Sequence, residues 1–166
     1  AESIDHFRPI RDDLDRLTRA VSMLEAVDQL GLEGEPNPAL YQMLLGALRA
    51  LAEHSGPLVV PAFYLKVLAL EGFRPVVDRC VECDAEDDLV SFDLDSGGTR
   101  CRDHRRGPAV SPAALELVND ILGGRLGSAL NVVASDATAE VDHLSVRAME
   151  HHLERRLRSI AVLDHG

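Results

Sequence analysis

Two short stretches decide how this sequence reads: Cys80-Val81-Glu82-Cys83 and Cys101-Arg102-Asp103-His104. Each is a knuckle whose two end residues can sit along one edge of a tetrahedral metal ion. Between them Val90, Phe92 and Leu94 alternate with polar residues, the period of a strand. Asp95-Ser96-Gly97-Gly98 follows as a turn, so Thr99 to Cys101 is expected to run back as a second strand. Such a hairpin brings the knuckles together in the arrangement of a zinc ribbon. A hairpin of this size is marginal alone in water, and a metal would staple it. Thiolate and imidazole suit zinc, whereas magnesium and calcium take oxygen. Cys80, Cys83, Cys101 and His104 would close the coordination shell, leaving no position for water or substrate. The expected cofactor is therefore one structural Zn2+.

Other readings of the cysteines are weaker on chemical grounds. A disulfide framework leaves an odd cysteine, and a chain without a secretory signal is expected in a reducing cytosol. A thioredoxin-like motif needs a strand–helix context, which the residues before Cys80 do not supply. The flanking Arg79, Glu82, Asp84, Arg100 and Arg102 are too polar for three cysteines buried as mere core.

Outward from the hairpin the period changes to that of helices. Before it, Leu14, Leu17, Val21, Leu24 and Val27 form one face of a helix expected from about Ile10 to Leu30, stopped by Gly31 and Gly34. Asn37-Pro38 is a cap followed by a first-turn proline. Leu40, Met43, Leu44, Ala47, Leu48 and Leu51 continue that helix's apolar face. After Gly56-Pro57, Phe63, Tyr64, Val67, Leu68 and Leu70 give a third helix, with Gly72 at its C-terminal cap. Beyond the hairpin, Ser111-Pro112 starts a helix bearing Leu115, Val118, Ile121 and Leu122. A short apolar piece spans Leu126 to Val133. A long last helix from about Ala137 to Ser159 aligns Leu144, Ala148, Leu153, Leu157 and Ile160. The expected fold is mainly α: a helical bundle with an inserted zinc-ribbon-like hairpin. Residues 1–72 and 108–166 form one composite helical domain around the 73–107 module.

The whole chain has 166 residues, 46% of them apolar, which suits one ordinary domain with a core rather than a disordered segment. No apolar run approaches the roughly 20 residues of a membrane span, and Ala1 to Arg11 carry no signal peptide. The start on Ala1, directly in a charged stretch, reads as a fragment of something longer. The balance of 17 Lys plus Arg against 28 Asp plus Glu gives a net charge of −11, which argues against a generic nucleic-acid binder. The acid excess is spread over all three segments. Locally, however, Arg100, Arg102, Arg105 and Arg106 face only Asp103, and Arg155 and Arg158 share one face of the last helix. Their functional reading is contact with phosphate or an acidic partner; their bland one is a solvated surface and helix-dipole stabilisation.

No catalytic constellation emerges, and the chain is not expected to be an enzyme. There is no nucleophile elbow and no phosphate-cradling glycine loop. Asp12, Asp13 and Asp15 read as helix-start acids, and Glu86, Asp87 and Asp88 as a solvated tip. His143, His151 and His152 read as solvated or edge-of-core residues.

In combination the motifs resemble those of the RecO recombination-mediator family. Gly72-Phe73-Arg74-Pro75 ahead of the first knuckle, Phe92 with Gly97-Gly98 before Cys101, and Ser111-Pro112-Ala113-Ala114-Leu115 are similar to its signatures. The closing His152-Leu153-Glu154-Arg155-Arg156-Leu157-Arg158-Ser159 is similar too. The resemblance implies the C-terminal region of a cytoplasmic, nucleoid-associated bacterial protein of DNA repair and recombination, preceded in the family by an OB-fold. It also implies binding of single- and double-stranded DNA and strand annealing. RecR and single-stranded-DNA-binding protein would be partners in loading RecA. One departure is His104, where the family often has cysteine. The alternative reading is a zinc-ribbon interaction adaptor that touches no DNA, with a metalloenzyme third.

Overall fold

The computed structural model describes residues 7–31, 36–54 and 56–165. The short α1 spans Arg8–Arg11 and α2 spans Leu14–Leu30. The chain continues through α3 (Pro38–Glu53) and α4 (Val59–Leu70) into the hairpin strands β1 (Leu89–Asp93) and β2 (Gly98–Cys101). A 3-10 turn at Arg102–His104 follows, then α5 (Pro112–Leu122), α6 (Leu126–Leu130) and the long α7 (Asp136–His165).

Helix starts follow the expected capping chemistry, since the first amides of a helix lack internal partners. Asn37 accepts a hydrogen bond from the Leu40 amide at 3.1 Å, and the Ser111 hydroxyl accepts one from the Ala114 amide at 3.1 Å. Proline follows each cap, where its missing N–H costs nothing. The helix expected from Ile10 is two helices. Asp13 interrupts it and caps α2, accepting from the amides of Asp15 and Arg16. At the far end of α4, Gly72 takes φ +89°, with the Phe73 amide bonded to the Leu68 carbonyl at 2.8 Å and the Gly72 amide to Ala69 at 3.2 Å. This closure suits glycine, which lacks the Cβ that disfavours left-handed backbone. Gly34 lies outside the described residues.

The core is two apolar clusters that share α4, a helix buried on nearly every side. One side of α4 (Val59, Phe63, Tyr64, Val67 and others) packs with α2, α3 and Met149 of α7. The other side (Leu58, Ala62, Leu65) packs with α5, with Val77 and Phe92 of the hairpin module, and with Val141 and Leu144 of α7. Both terminal helical segments thus meet on α4, and α7 reaches both clusters.

Two expected core faces are corrected. On α2 the buried residues are Ala20, Met23, Ala26, Val27 and Leu30. The more hydrophobic stripe Leu14, Leu17, Val21 and Leu24 points outward, Leu14 being 79% exposed. The inward face sets Ala20 and Ala26 beside Met23, Val27 and Leu30, a choice of face that hydrophobic periodicity does not express. On α7 the expected Leu144 is buried and Ala148 and Leu153 pack against the core, but Leu157 is exposed, and Val141, Ser145, Met149 and His152 join the buried set. His152, read from the sequence as at most edge-of-core, is 0% exposed.

Candidate metal centre

β1 and β2 pair antiparallel, with Phe92 opposite Thr99 and Asp93 opposite Gly98, and the ladder is irregular between Leu89 and Ser91. Two flanking segments extend this small sheet: Val76 bridges to Gly98 on one side, and Ala109 to Ser91 on the other. The Thr99 amide donates to the Val76 carbonyl at 2.8 Å and the Phe92 amide to Pro108 at 2.9 Å. The first knuckle is tied to the second strand directly, because the Val81 amide donates to the Thr99 carbonyl at 2.9 Å.

This framework brings Cys80, Cys83, Cys101 and His104 together, with one ligand atom from each lying within 4.8 Å of all the others. Cys83 Sγ is 3.7 Å from Cys101 Sγ, and Cys101 Sγ is 3.3 Å from His104 Nδ1. Tetrahedral bonds of about 2.3 Å to sulfur and about 2.0 Å to nitrogen require edges of roughly 3.8 and 3.5 Å, so these two separations suit such an ion. Cys80 and Cys101 are buried and Cys83 is exposed. Burial pushes the Cys80 thiol up. Backbone donors from Cys101, Cys83 and Glu82 outweigh it and bring the thiol down to about 6. A thiolate-ready sulfur is what metal binding needs, since the ligand must be deprotonated.

The arginines around the second knuckle separate into two roles. Arg100 turns inward: its Nε donates to Asp93 Oδ2 at 2.9 Å, and its Nη1 lies 3.4 Å from Glu82. The Asp93 side chain is 3% exposed and also accepts from the Ser96 hydroxyl at 2.8 Å and the Asp95 amide at 3.1 Å. Burial raises the Asp93 carboxyl, but Ser96 and Arg100 outweigh it and hold the group below the usual carboxylate range. Arg102, Arg105 and Arg106 point outward. Arg102 forms a two-pronged pair with Asp88, Arg106 lies 3.6 Å from Asp95, and Arg105 has no ion pair among the described residues. Glu82, Asp88, Asp93 and Asp95 moderate this basic cluster, which sequence proximity made look less opposed. The role of Asp93 was missed because only Ser96, three residues on, signalled a carboxylate closing its own turn.

A family model described as "Recombination protein O C terminal" matches residues 11–161. The chain belongs to the RecO family. The DNA repair protein RecO of Streptomyces coelicolor is 37% identical over 157 residues, covering 92% of this chain and 63% of that protein. RecO of Desulforudis audaxviator is 34% identical over 170 residues, covering 98% of this chain and 68% of that protein. RecO of Desulforamulus reducens is 30% identical over 171 residues, with 99% and 67% covered. The chain therefore spans 63–68% of the length of these RecO relatives.

The two RecO-like motifs that lie far apart in sequence meet in space. The Phe73 ring is 4.8 Å from that of His152, and the Arg155 guanidinium lies 4.2 Å above the Phe73 ring. Glu71 stands 3.6 Å from His152 Nε2 and 3.7 Å from Arg156. Arg156 also donates to the Leu30 carbonyl at 3.2 Å, placing a cation at the C-terminal end of α2. Arg155 therefore packs on an aromatic ring, while Arg158 is exposed and pairs with Glu154 at 3.1 Å.

Proposed function

We propose that this chain is the helical, zinc-bearing C-terminal part of a recombination mediator that works in DNA repair. In this reading, one Zn2+ held by Cys80, Cys83, Cys101 and His104 pins the hairpin and the turn carrying Arg102, Arg105 and Arg106. The ion supplies a crosslink only. The observation that carries the reading is the placement of these three outward arginines immediately beside a closed four-ligand cluster in a RecO-family chain. They, with Arg155 and Arg158, would contact phosphates without reading base sequence, as annealing any pair of complementary strands requires. Arg100 supports the same surface indirectly by holding the turn through Asp93. Docking of RecR and single-stranded-DNA-binding protein, and RecA loading in the cytoplasm, belong to the same proposal. No helix among the described residues is long and apolar enough to cross a membrane.

The test is a titration with single-stranded DNA at two salt concentrations. Three phosphate contacts correspond to a slope in log K against log salt of about −2 for single strands, so the Arg102→Ala/Arg105→Ala/Arg106→Ala protein should show a slope shallower by that amount. An unchanged slope discards this patch. Complete absence of salt-dependent binding favours the interaction-adaptor reading. The ion is tested separately: about one zinc per chain is expected, and it should be lost in Cys80→Ser.

A further inference from the structure

A second recess lies on the face of the molecule between α2 and the first half of α7, outside the metal module. It is a groove of about 680 Å3. Its floor is apolar, formed by Val60 of α4 with Val146, Met149 and Leu153 of α7. Tyr64 also lines it; the residue is 6% exposed, and its hydroxyl makes no hydrogen bond to another described residue. A hydroxyl that no protein group engages and that faces the groove can donate to or accept from an incoming polar group.

The rim is acidic. Glu25 on α2 and Asp142 and Glu150 on α7 line the groove, and none has an ion-pair partner among the described residues. Arg19 is the one cation on the rim, and it is already engaged by Asp15 at 2.9 Å and the Gly56 carbonyl at 3.3 Å. Burial raises the Tyr64 phenol, and Asp142, Glu25 and Glu150 raise it further, so the negative field of the rim converges on that ring. Three unpaired carboxylates repel a phosphate backbone, so nucleic acid is the wrong occupant. An apolar floor below an anionic rim fits a helix whose one face is aliphatic and whose flanks carry lysine or arginine.

We propose that the α2–α7 groove is a docking site for a basic amphipathic helix of a protein partner. Its aliphatic face would lie on Val146 and Leu153, its cations would meet Glu25, Asp142 and Glu150, and a polar group would pair with the Tyr64 hydroxyl. This surface is separate from the outward arginines of the hairpin and carries the opposite charge, so it stands whether or not those arginines bind DNA.

The probe is a fluorescein-labelled 15-residue peptide with leucine at helical spacing and lysine elsewhere, titrated against the protein and followed by anisotropy. Saturable one-to-one binding is expected. Exposed ion pairs contribute factors of about two to five each, so Glu25→Gln/Asp142→Asn/Glu150→Gln should weaken binding by about tenfold or more. The charge-matched control Glu86→Gln/Asp87→Asn/Glu116→Gln, on another face, should change it less than about threefold. All six positions are exposed, so both variants should keep the wild-type fold, which circular dichroism checks. Three results overturn the proposal: no saturable binding, equal weakening by the two triple variants, or equally tight binding of oligo-lysine, which lacks the aliphatic face.

Discussion

Arg100 and Asp93 hold the hairpin turn as a buried pair, and their burial sets what their loss costs. Removing one partner of such a pair strands the other charge away from water, which typically costs about 3–5 kcal/mol. Arg100→Ala should lower stability in urea denaturation by less than that full amount, because Asp93 keeps Ser96, the Asp95 amide and Arg106 at 4.0 Å. Arg102→Ala, which breaks an exposed pair, should leave the denaturation midpoint nearly unchanged. His152 gives the residue-scale pH dependence. Burial lowers its pKa below the ordinary 6.5, against the opposing pull of Glu71, so the folded ring stays neutral. As pH falls below about 6.5, the unfolded chain takes up a proton that the folded protein refuses, and stability declines by up to about 1.4 kcal/mol per pH unit. The decline stops once the folded ring also titrates. Denaturation between pH 7.5 and 5 should show this slope, and His152→Gln should flatten it. Nothing in the residues around His152 announced its burial, because its partner Glu71 lies far away in sequence, just past the end of α4.

Among the elements, the hairpin was the most legible, since its turn, its strand alternation and its ligand spacing all point the same way. Gly107 gives no sign in the sequence of its close packing, although the structure depends on it. It sits at φ +90°, and a Cβ there would overlap the Phe92 carbonyl oxygen. Gly107→Ala should destabilise the module by about 1–3 kcal/mol, read as a lower melting temperature, with zinc content as a second readout. The faces of α2 and α7 were less legible. Periodicity reports which residues are apolar. Which apolar face turns inward depends on side-chain volume and on neighbours elsewhere in the chain, so Ala20 and Ala26 are buried while Leu14 is not. The last-helix arginines show the same limit. Arg156→Ala should cost about 1–2 kcal/mol through its lost bond to Leu30 and its lost contact with Glu71, whereas Arg158→Ala should be nearly neutral. Parallel thermal melts separate the two.

At the scale of the whole molecule, the metal-ligand cluster and the helical composition were readable because both rest on local pattern. The convergence of two apolar clusters on α4 was not, because it joins residues from α2 to α7. The centre also ties the module to the core, since Val77 and Phe92 pack with α5 while Cys80 and Cys101 hold the ligand cluster. With one Zn2+ held there as proposed, stripping it with a chelator should loosen residues 76–110 first. Amide exchange should accelerate there while the amides of α3 stay protected.

The shared spine also bears on how the chain matures during synthesis. α4 is complete by Leu70, yet one of its flanks waits for α5 and for Val141 and Leu144, and the other for Met149. At about 5–20 residues per second, that interval lasts roughly 4–16 seconds. For that time a strongly apolar helix has only α2 and α3 against it, and its other side is bare. A nascent chain stopped short of α7 should accordingly be a better chaperone client than the finished protein.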